Sequence, residues 1–283
     1  MAVNNLVTRR RFLMGCSVGV VTLGSLSHPN LLNALQNASA IETPEQVFLT
    51  AHKLNSDHFV SGMTEKGKEL FRLQTPSACH SVVTHKARLD LAVGISRDPN
   101  EPAIVFDPLD GKQKALCQTL PNRHFNGHGC ISADGQYLFA SQNDFKESRG
   151  VIAVYHLDTG EHVREFDSYG VGPHDLAMLN DGQTLVVANG GIQTHPDSGR
   201  TPLNIPQMRP NLSYIDSVSG ALIQAFELPD PLLSIRHLAV GSDNVVGIAM
   251  QYQGERKTPA VVGFQHGNQA IRMVKADSEM THW

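Results

Sequence analysis

Four segments of the chain repeat one plan, and this repetition limits the folds that the chain can adopt. Each begins near a histidine and continues with a short apolar run, a turn and a second apolar run. The segments are CHSVVTHKARLDLAVGIS from Cys79, GHGCISADGQYLFASQN from Gly127, PHDLAMLNDGQTLVVANG from Pro173 and RHLAVGSDNVVGIAMQ from Arg236. The later three carry turns of the type Asp-Gly or Ser-Asp-Asn, and the turn of the first is degenerate. Apolar, β-branched runs around such turns predict β-hairpins.

Each predicted hairpin is followed by two more alternating segments around a glycine-containing turn, at residues 103–116, 151–166, 212–226 and 260–274. The repeating unit is therefore four antiparallel strands. The leading histidines His80, His128, His174 and His237 are 48, 46 and 63 residues apart. A four-stranded unit with a period of about 40 to 50 residues predicts the blades of a β-propeller. An insertion at residues 190–211 accounts for the longest interval. The runs are too short and too often broken by Gly and Pro for a helical repeat.

The count of blades predicts an all-β propeller that is truncated. Residues 45–54 and 58–74 supply about three strands of a further blade, but no innermost strand precedes them. Residues 277–283, DSEMTHW, add no further strand pair. We expect four whole four-stranded antiparallel blades and most of a fifth, with carboxy-terminal blades missing. A genuine open or five-bladed ring is the alternative.

The first forty residues are typical of an export signal and not of the fold. Thr8 to Met14, with three arginines followed by Phe-Leu, resembles a twin-arginine signal, and the apolar stretch from Gly15 to Leu26 follows it. Ala38-Ser39-Ala40 supplies a cleavage site. We expect a signal peptide at 1–40, a propeller domain at 41–283, a periplasmic location and no stable membrane span after cleavage, with an uncleaved anchor as the alternative. The three remaining cysteines, Cys79, Cys117 and Cys130, form no disulfide framework and read as small buried apolar residues.

Charge and motifs exclude some classes of function. The formal net charge of −4, without a basic run in the mature part, argues against a nucleic-acid partner. The chain has no nucleophile elbow, zincin motif, Walker loop or dinucleotide fingerprint. Enzymatic activity therefore stays open, and the sequence favours a protein that is not an enzyme.

Several motifs resemble an uncharacterised family of exported bacterial propeller proteins, the domain of unknown function 1513 family. The resemblance rests on NRHFNGHG, QNDF, GVGPHDLAMLNDGQTLVVANGGIQTHPDSGR, MRPNLSYID and SIRHLAV, and runs from about residue 41 to the end. It implies a longer, seven-bladed propeller in full-length members. Genes of that family tend to lie beside those of imelysin-type, iron-regulated periplasmic proteins, so the resemblance implies a link to iron acquisition and imelysin-like partners. It implies no activity.

The leading histidines are candidate ligands because the first strand of each blade lines the central channel of a propeller. Residues at equivalent positions in successive blades form a ring, so His80, His128, His174 and His237 are expected to form an arc near the axis. Such an arc suits a transition metal or the rim of a haem. Two alternatives stay open: hydrogen-bonding posts between blades, and contacts to a small ligand.

Other polar residues lie near the leading histidines in the sequence. Arg123, His124, Asp175 and Arg236 are candidates for a ligand site at the channel mouth, where arginines suit a carboxylate or phosphate. Salt-bridge partners at the rim are the alternative role for the arginines. The insertion carries His195, Asp197, Arg200 and Arg209, and we expect it to act as a lid over the mouth.

Two functional hypotheses follow. The first is a periplasmic binding or scaffold protein that works with iron-uptake partners. The alternative is an exported metal-dependent hydrolase or oxidoreductase that uses the histidine arc. The first is favoured because no catalytic constellation stands out.

Overall fold

The computed structural model describes residues 46–255 and 261–274, and the regular structure there is β-strand apart from two short 3-10 turns. The proposed signal at 1–40 and the carboxy-terminal residues 277–283 lie outside the described residues. Among the described residues, no helix is long and apolar enough to cross a membrane.

The described strands form five antiparallel sheets, each built from consecutive strands. The first sheet contains β1 (Val47–Leu54), β2 (Asp57–Thr64) and β3 (Glu69–Thr75). The second contains β4 (Cys79–His85), β5 (Arg88–Ser96), β6 (Ala103–Phe106) and β7 (Gln113–Cys117). The third contains β8 (Arg123–Ile131), β9 (Tyr137–Asp144), β10 (Arg149–His156) and β11 (His162–Asp167). The fourth contains β12 (Pro173–Met178), β13 (Thr184–Asn189), β14 (Asn211–Asp216) and β15 (Leu222–Glu227). The fifth contains β16 (Leu233–Val240), β17 (Val246–Tyr252), β18 (Val261–Gln265) and β19 (Arg272–Val274).

These sheets confirm the predicted blade, a four-stranded antiparallel unit. The first strands of the four-stranded sheets contact one another in sequence, β4 with β8, β8 with β12 and β12 with β16. Such contacts place them innermost, next to the axis. In the three-stranded sheet, β1 contacts β4, the innermost strand of the next sheet. The second strand of that next sheet, β5, contacts the following innermost strand, β8, in the same way. By this comparison β1 holds the position of a second strand. The described part of that sheet therefore lacks a strand in the innermost position, as the sequence predicts.

The hydrophobic cores lie between consecutive sheets, because strands with two buried faces send alternate side chains to opposite neighbours. In β13, Leu185 and Val187 pack toward the third sheet, whereas Val186 and Ala188 pack toward the fifth. All four side chains are fully buried. This alternation explains the nearly continuous apolar run in the second strand of each repeat, and it fixes each sheet between its two neighbours.

The cysteines pack as small apolar side chains. Cys79, Cys117 and Cys130 are free thiols, and Cys117 is fully buried. Burial raises the pKa of the Cys79 thiol to about 11 and that of the Cys117 thiol to about 12. These thiols therefore stay protonated and unreactive at neutral pH.

An ion network joins all four strands of the third sheet at one end. Arg123 of β8 lies 2.8 Å from the carboxylate of Asp144 of β9 and 2.8 Å from that of Glu165 of β11. Arg149 of β10 lies 3.3 Å from Asp144 and 3.2 Å from Glu165. The Asp144 side chain is 1% exposed, so it depends on these partners for its charge.

We predict that Asp144→Asn lowers the free energy of unfolding by about 3 kcal/mol, because it removes the charge of a buried carboxylate that Arg123 and Arg149 share and leaves them Glu165 and, for Arg149, Asp167 at 3.8 Å. Asp158→Asn is the matched control. Asp158 also pairs with an arginine, at 2.5 Å from Arg88, but its side chain is 59% exposed, so the change is expected to cost about 1 kcal/mol or less. Urea denaturation measures both, and equal losses in the two variants would contradict this assignment.

Candidate axial histidine site and adjoining cleft

The candidate site lies where each innermost strand departs from regular pairing. The register between first and second strands shifts between Cys79 and Ser81, Phe125 and Gly129, Pro173 and Asp175, and Ile235 and His237. Bulges bend a strand and re-aim its side chains, and they are common next to functional sites. The irregularity stands at the same place in four successive sheets, with one bulged residue in three of them and three, 126–128, in the third sheet.

The four histidines do not occupy one register position, which corrects the expected ring of equivalent residues. A backbone hydrogen bond closes each later hairpin, from Ser132 N to Tyr137 O, Leu179 N to Thr184 O and Gly241 N to Val245 O. Counting four residues back from each donor gives His128, Asp175 and His237. His174 lies one residue earlier, at the position of Arg236. The ring is therefore mixed, with histidine alternating between two adjacent positions.

Despite this offset, the four imidazoles form one cluster. Ring centroids are 4.8 Å apart for His80 and His128, 4.9 Å for His128 and His174, and 5.1 Å for His174 and His237. His80 also lies 6.1 Å from His174, and His128 lies 5.2 Å from His237. Side chains from four sheets thus meet in one place.

Asp175 connects this cluster through its carboxylate. Its two oxygens lie 3.6 Å from Nδ1 of His128 and 3.7 Å from Nδ1 of His237. One oxygen accepts a hydrogen bond from Leu176 N at 2.9 Å, and the other accepts one from Leu238 N of the next sheet at 3.0 Å. The backbone therefore fixes the carboxylate between two imidazoles.

Gly127 makes the close approach of His80 to the third sheet possible. Its φ of +93° is unfavourable for other residues, and a Cβ atom there would lie 2.7 Å from Cβ of His80. Ser81 Oγ donates to the Gly127 carbonyl at 2.6 Å, which ties the second sheet to the third beside the cluster.

The surroundings favour the neutral form of three of the imidazoles, those of His80, His128 and His174. Burial, followed by the charge of Arg97, lowers the pKa of His80 to about 4. Burial, followed by the charge of Arg236, lowers the pKa of His174 far below its ordinary value. Burial also lowers the pKa of His128, although Asp175 opposes that shift. Neutral imidazoles keep a lone pair on one ring nitrogen, which is the form that binds metals.

Two overlapping sets of side chains have the composition of a metal site. His80, His128 and His174 each offer a nitrogen, and these atoms lie within 4.8 Å of one another. His128, Asp175 and His237 form a second set on the same criterion. Tetrahedral ligation at 2.0 to 2.1 Å needs nitrogen atoms about 3.4 Å apart, so small side-chain movements would close either set around an ion.

A cleft with a volume of about 370 Å³ adjoins the cluster at His174. Three arginines from separate elements line it: Arg97 follows β5, Arg200 lies in the 190–211 insertion and Arg236 lies at the bulge of β16. Asn126, Gln251 and Gln253 contribute polar groups to its wall. The cleft is therefore polar and positively charged.

A family model described as a protein of unknown function, DUF1513, matches residues 73–283. The chain belongs to the DUF1513 family. The match begins at residue 73 and not near residue 41, where the sequence resemblance was expected to start. A search of curated proteins found no match.

Solved structures similar to this DUF1513 protein support the propeller fold. Hydrazine synthase from Kuenenia stuttgartiensis aligns with a TM-score of 0.55 at 13% identity, over 73% of this chain and 56% of that one. The Cps50 (Swd1) β-propeller domain of Myceliophteria thermophila aligns with a TM-score of 0.54 at 11% identity, over 82% and 73%. A chain of the mitotic checkpoint complex aligns with a TM-score of 0.55 at 9% identity, over 81% and 64%. The chain thus spans less than two thirds of two of these structures, and such low identities establish the fold alone.

The candidate residues of this DUF1513 protein separate into two groups. His80, His128, His174, His237 and Asp175 form the cluster, and His174, Arg236, His124 and Arg200 line the cleft. Arg123 does not line the cleft, because its guanidinium is held by Asp144 and Glu165 in the ion network of the third sheet. His124 is buried, and its Nε2 lies 3.0 Å from the Asn143 amide nitrogen.

The insertion forms one wall of the cleft through Ile192, Thr194, Pro196, Gly199, Arg200 and Pro202. The other candidates on it point elsewhere. His195 packs edge-on against Phe145 at 5.3 Å, the Asp197 side chain is 89% exposed, and Arg209 is exposed and does not line the cleft.

Sequence reasoning missed Arg97. It stands in the connection between β5 and β6 of the first repeat, where SRDPNEP has no counterpart in the other repeats. Arg97 influences the pKa values of His80, His128 and Arg236 through its charge, which places it near all three. A lone arginine before a turn gives no signal of such a role.

The lowered histidine pKa values predict that the metal-free protein loses stability in mild acid. Below the ordinary value of 6.5 the unfolded chain takes up protons at His80 and His174, whereas the folded chain takes up a proton at His80 only near pH 4. The unfolding free energy should therefore fall between pH 6.5 and pH 4, and by less in a His80→Gln, His174→Gln double variant. Urea denaturation at several pH values measures this difference, and identical pH profiles would contradict the prediction.

Proposed function

We propose that this protein is an exported binding protein that holds a transition-metal ion at its axial histidine cluster and serves iron acquisition in the periplasm. The observation that carries the proposal is the convergence of four imidazoles and one carboxylate from consecutive sheets. Imidazole with carboxylate suits iron, zinc, copper or nickel better than calcium or magnesium.

The hydrogen-bonding pattern supports metal ligation over the alternative of structural posts. Within the described residues, no ring nitrogen of the four clustered histidines takes part in a hydrogen bond, as a structural post would. Nε2 of His128 is buried without a partner, a feature shared with ring nitrogens of four histidines outside the cluster. Buried polar groups normally have partners, so an unpaired one calls for an explanation. Other groups make the hydrogen bonds that link the sheets here, among them Asp175, Ser81 and Asn126.

The export and iron parts of the proposal rest on the sequence. The first forty residues resemble a twin-arginine signal, a route that exports folded proteins and so permits a metal to be loaded before export. Imelysin-like periplasmic proteins are the partners we propose. A channel mouth with a neutral metal site and a charged cleft offers such a partner a surface to recognise.

Metal content is the first test. Elemental analysis and an absorption spectrum of protein purified from the periplasm should show about one metal ion per chain, and the spectrum separates a bare ion from haem. His128→Ala and His174→Ala should each lose the metal because each belongs to the three-nitrogen set. Asp175→Asn should weaken binding roughly 10- to 100-fold because it removes the group that orients two ligands.

His266→Ala is the control for these variants. His266 is an exposed histidine on the connection between β18 and β19, so its removal should leave the metal content unchanged. If the parent protein contains no metal and both His128→Ala and His174→Ala are destabilised, the histidines pack the blades together and do not bind metal.

A second prediction concerns location and partners. Lysines in place of Arg9 and Arg10 should retain the precursor in the cytoplasm, because the signal depends on its paired arginines. Cell fractionation measures this, and pull-down from the periplasm of the parent strain should recover an imelysin-like protein. Unchanged export of the double-lysine variant would contradict the assignment of the signal.

The alternative, a metal-dependent hydrolase or oxidoreductase, would use the same cluster. No observation on the described residues favours it over binding, so it stays a prediction.

A further inference from the structure

The cleft beside the cluster holds more positive charge than the described residues neutralise. Arg97, Arg200 and Arg236 line it, and the charge of Arg97 acts on Arg236 while that of Arg200 acts on Arg97. Asp98 is the carboxylate in the cleft wall, and it lies 4.0 Å from Nη2 of Arg200. One carboxylate faces three guanidinium groups.

Two of these arginines lack partners. Within residues 46–255 and 261–274, neither Arg97 nor Arg236 forms an ion pair or a hydrogen bond, in contrast to Arg88, Arg123 and Arg149, which all pair with carboxylates. Both are partly buried, so water solvates their charges incompletely. An incompletely solvated cation without a counter-charge is costly for the folded protein unless a ligand supplies that charge.

The excess positive charge affects the pKa values of both Arg97 and Arg236. Burial, followed by the charge of Arg97, lowers the pKa of Arg236, and burial, followed by the charge of Arg200, lowers the pKa of Arg97. Asp98 opposes the second shift. Like charges thus oppose one another across the cleft.

We propose that this cleft binds a small multivalent carboxylate through Arg97, Arg200 and Arg236. Guanidinium groups present planar forks of donors that match carboxylate oxygens, and three forks from separate elements suit an anion with several carboxylates. A volume of about 370 Å³ accommodates a molecule of that size. Neutral donors on the wall, such as the side-chain amides of Gln251 and Gln253, can hydrogen-bond its remaining oxygens.

The proposed anion site does not depend on a bound metal, although each ligand would favour binding of the other. A divalent ion at the cluster would lie near Arg97 and Arg236, and Asp175 alone does not balance that charge. A bound polyanion would offset the repulsion, so each ligand should raise the affinity for the other. Only this coupling rests on the proposed metal function.

The test measures binding of propane-1,2,3-tricarboxylate to the metal-free full chain by isothermal titration calorimetry, with acetate and inorganic phosphate as comparison anions. Arg97→Gln and Arg236→Gln should each weaken tricarboxylate binding at least 10-fold, because each removes a charge-assisted pair. Arg200→Gln should weaken it less, since that side chain is 69% exposed. Arg209→Gln is the matched control on the same insertion, outside the cleft, and should change the affinity less than twofold.

Thermal denaturation shows whether a variant that binds weakly is still folded. In anion-free buffer Arg236→Gln should unfold at a higher temperature than the parent, because it removes an unpaired, partly buried cation. At matched ionic strength, the tricarboxylate should raise the melting temperature of the parent by more than it raises that of the variant.

No tricarboxylate binding to the parent, parent-like affinity in Arg97→Gln and Arg236→Gln, or tighter binding of phosphate than of the tricarboxylate would overturn the proposal. Failure to find a metal leaves these results unchanged, so the two proposals fail separately. With metal restored, tighter tricarboxylate binding would support the coupling between the sites.

Discussion

Each innermost strand packs against the innermost strand of the next sheet, and every feature of the site depends on that contact. It brings residues that lie 46 to 63 positions apart in consecutive repeats into one cluster with ring centroids about 5 Å apart. The contact is itself maintained by the cores between sheets, where alternate side chains of strands such as β13 reach opposite neighbours.

The electrostatics of the site follow from what the sheets bury. Burial and nearby arginines favour the neutral form of His80, His128 and His174, and the Asp175 carboxylate lies between His128 and His237. The cluster therefore attracts a cation locally, whereas the cleft beside it attracts an anion. Such an arrangement favours a ligand that carries both, for example a metal ion bound together with a polycarboxylate.

Much of the fold could be predicted from the sequence, because hairpin turns and alternating apolar runs depend on local chemistry. The four-stranded unit, the incomplete first sheet and the insertion between β13 and β14 all follow from such patterns. The leading histidine of each repeat could be recognised in the sequence for the same reason. Their register was not, since His174 is one residue further from its turn than His128 and is itself the bulged residue between Pro173 and Asp175.

The arginines show where sequence reasoning stops. Arg123 stands close to His128 in the chain, yet its charge is taken by Asp144 and Glu165, which come from other strands of the same sheet. Arg97 stands far from the other cleft residues in the chain and carries no motif, yet the fold places it in the cleft. Pairing of long charged side chains depends on tertiary contacts that repeat spacing does not encode.

The central claim is that the imidazoles act together as ligands of one ion. Nitrogen-15 NMR of the histidine side chains during a zinc titration tests it most directly, because it reports the protonation and ligation of each ring nitrogen. The account predicts neutral rings for His80, His128 and His174 before zinc is added, and joint shifts of one nitrogen of each that end at one equivalent. Shifts confined to exposed histidines such as His266, with the clustered rings unchanged, would contradict it.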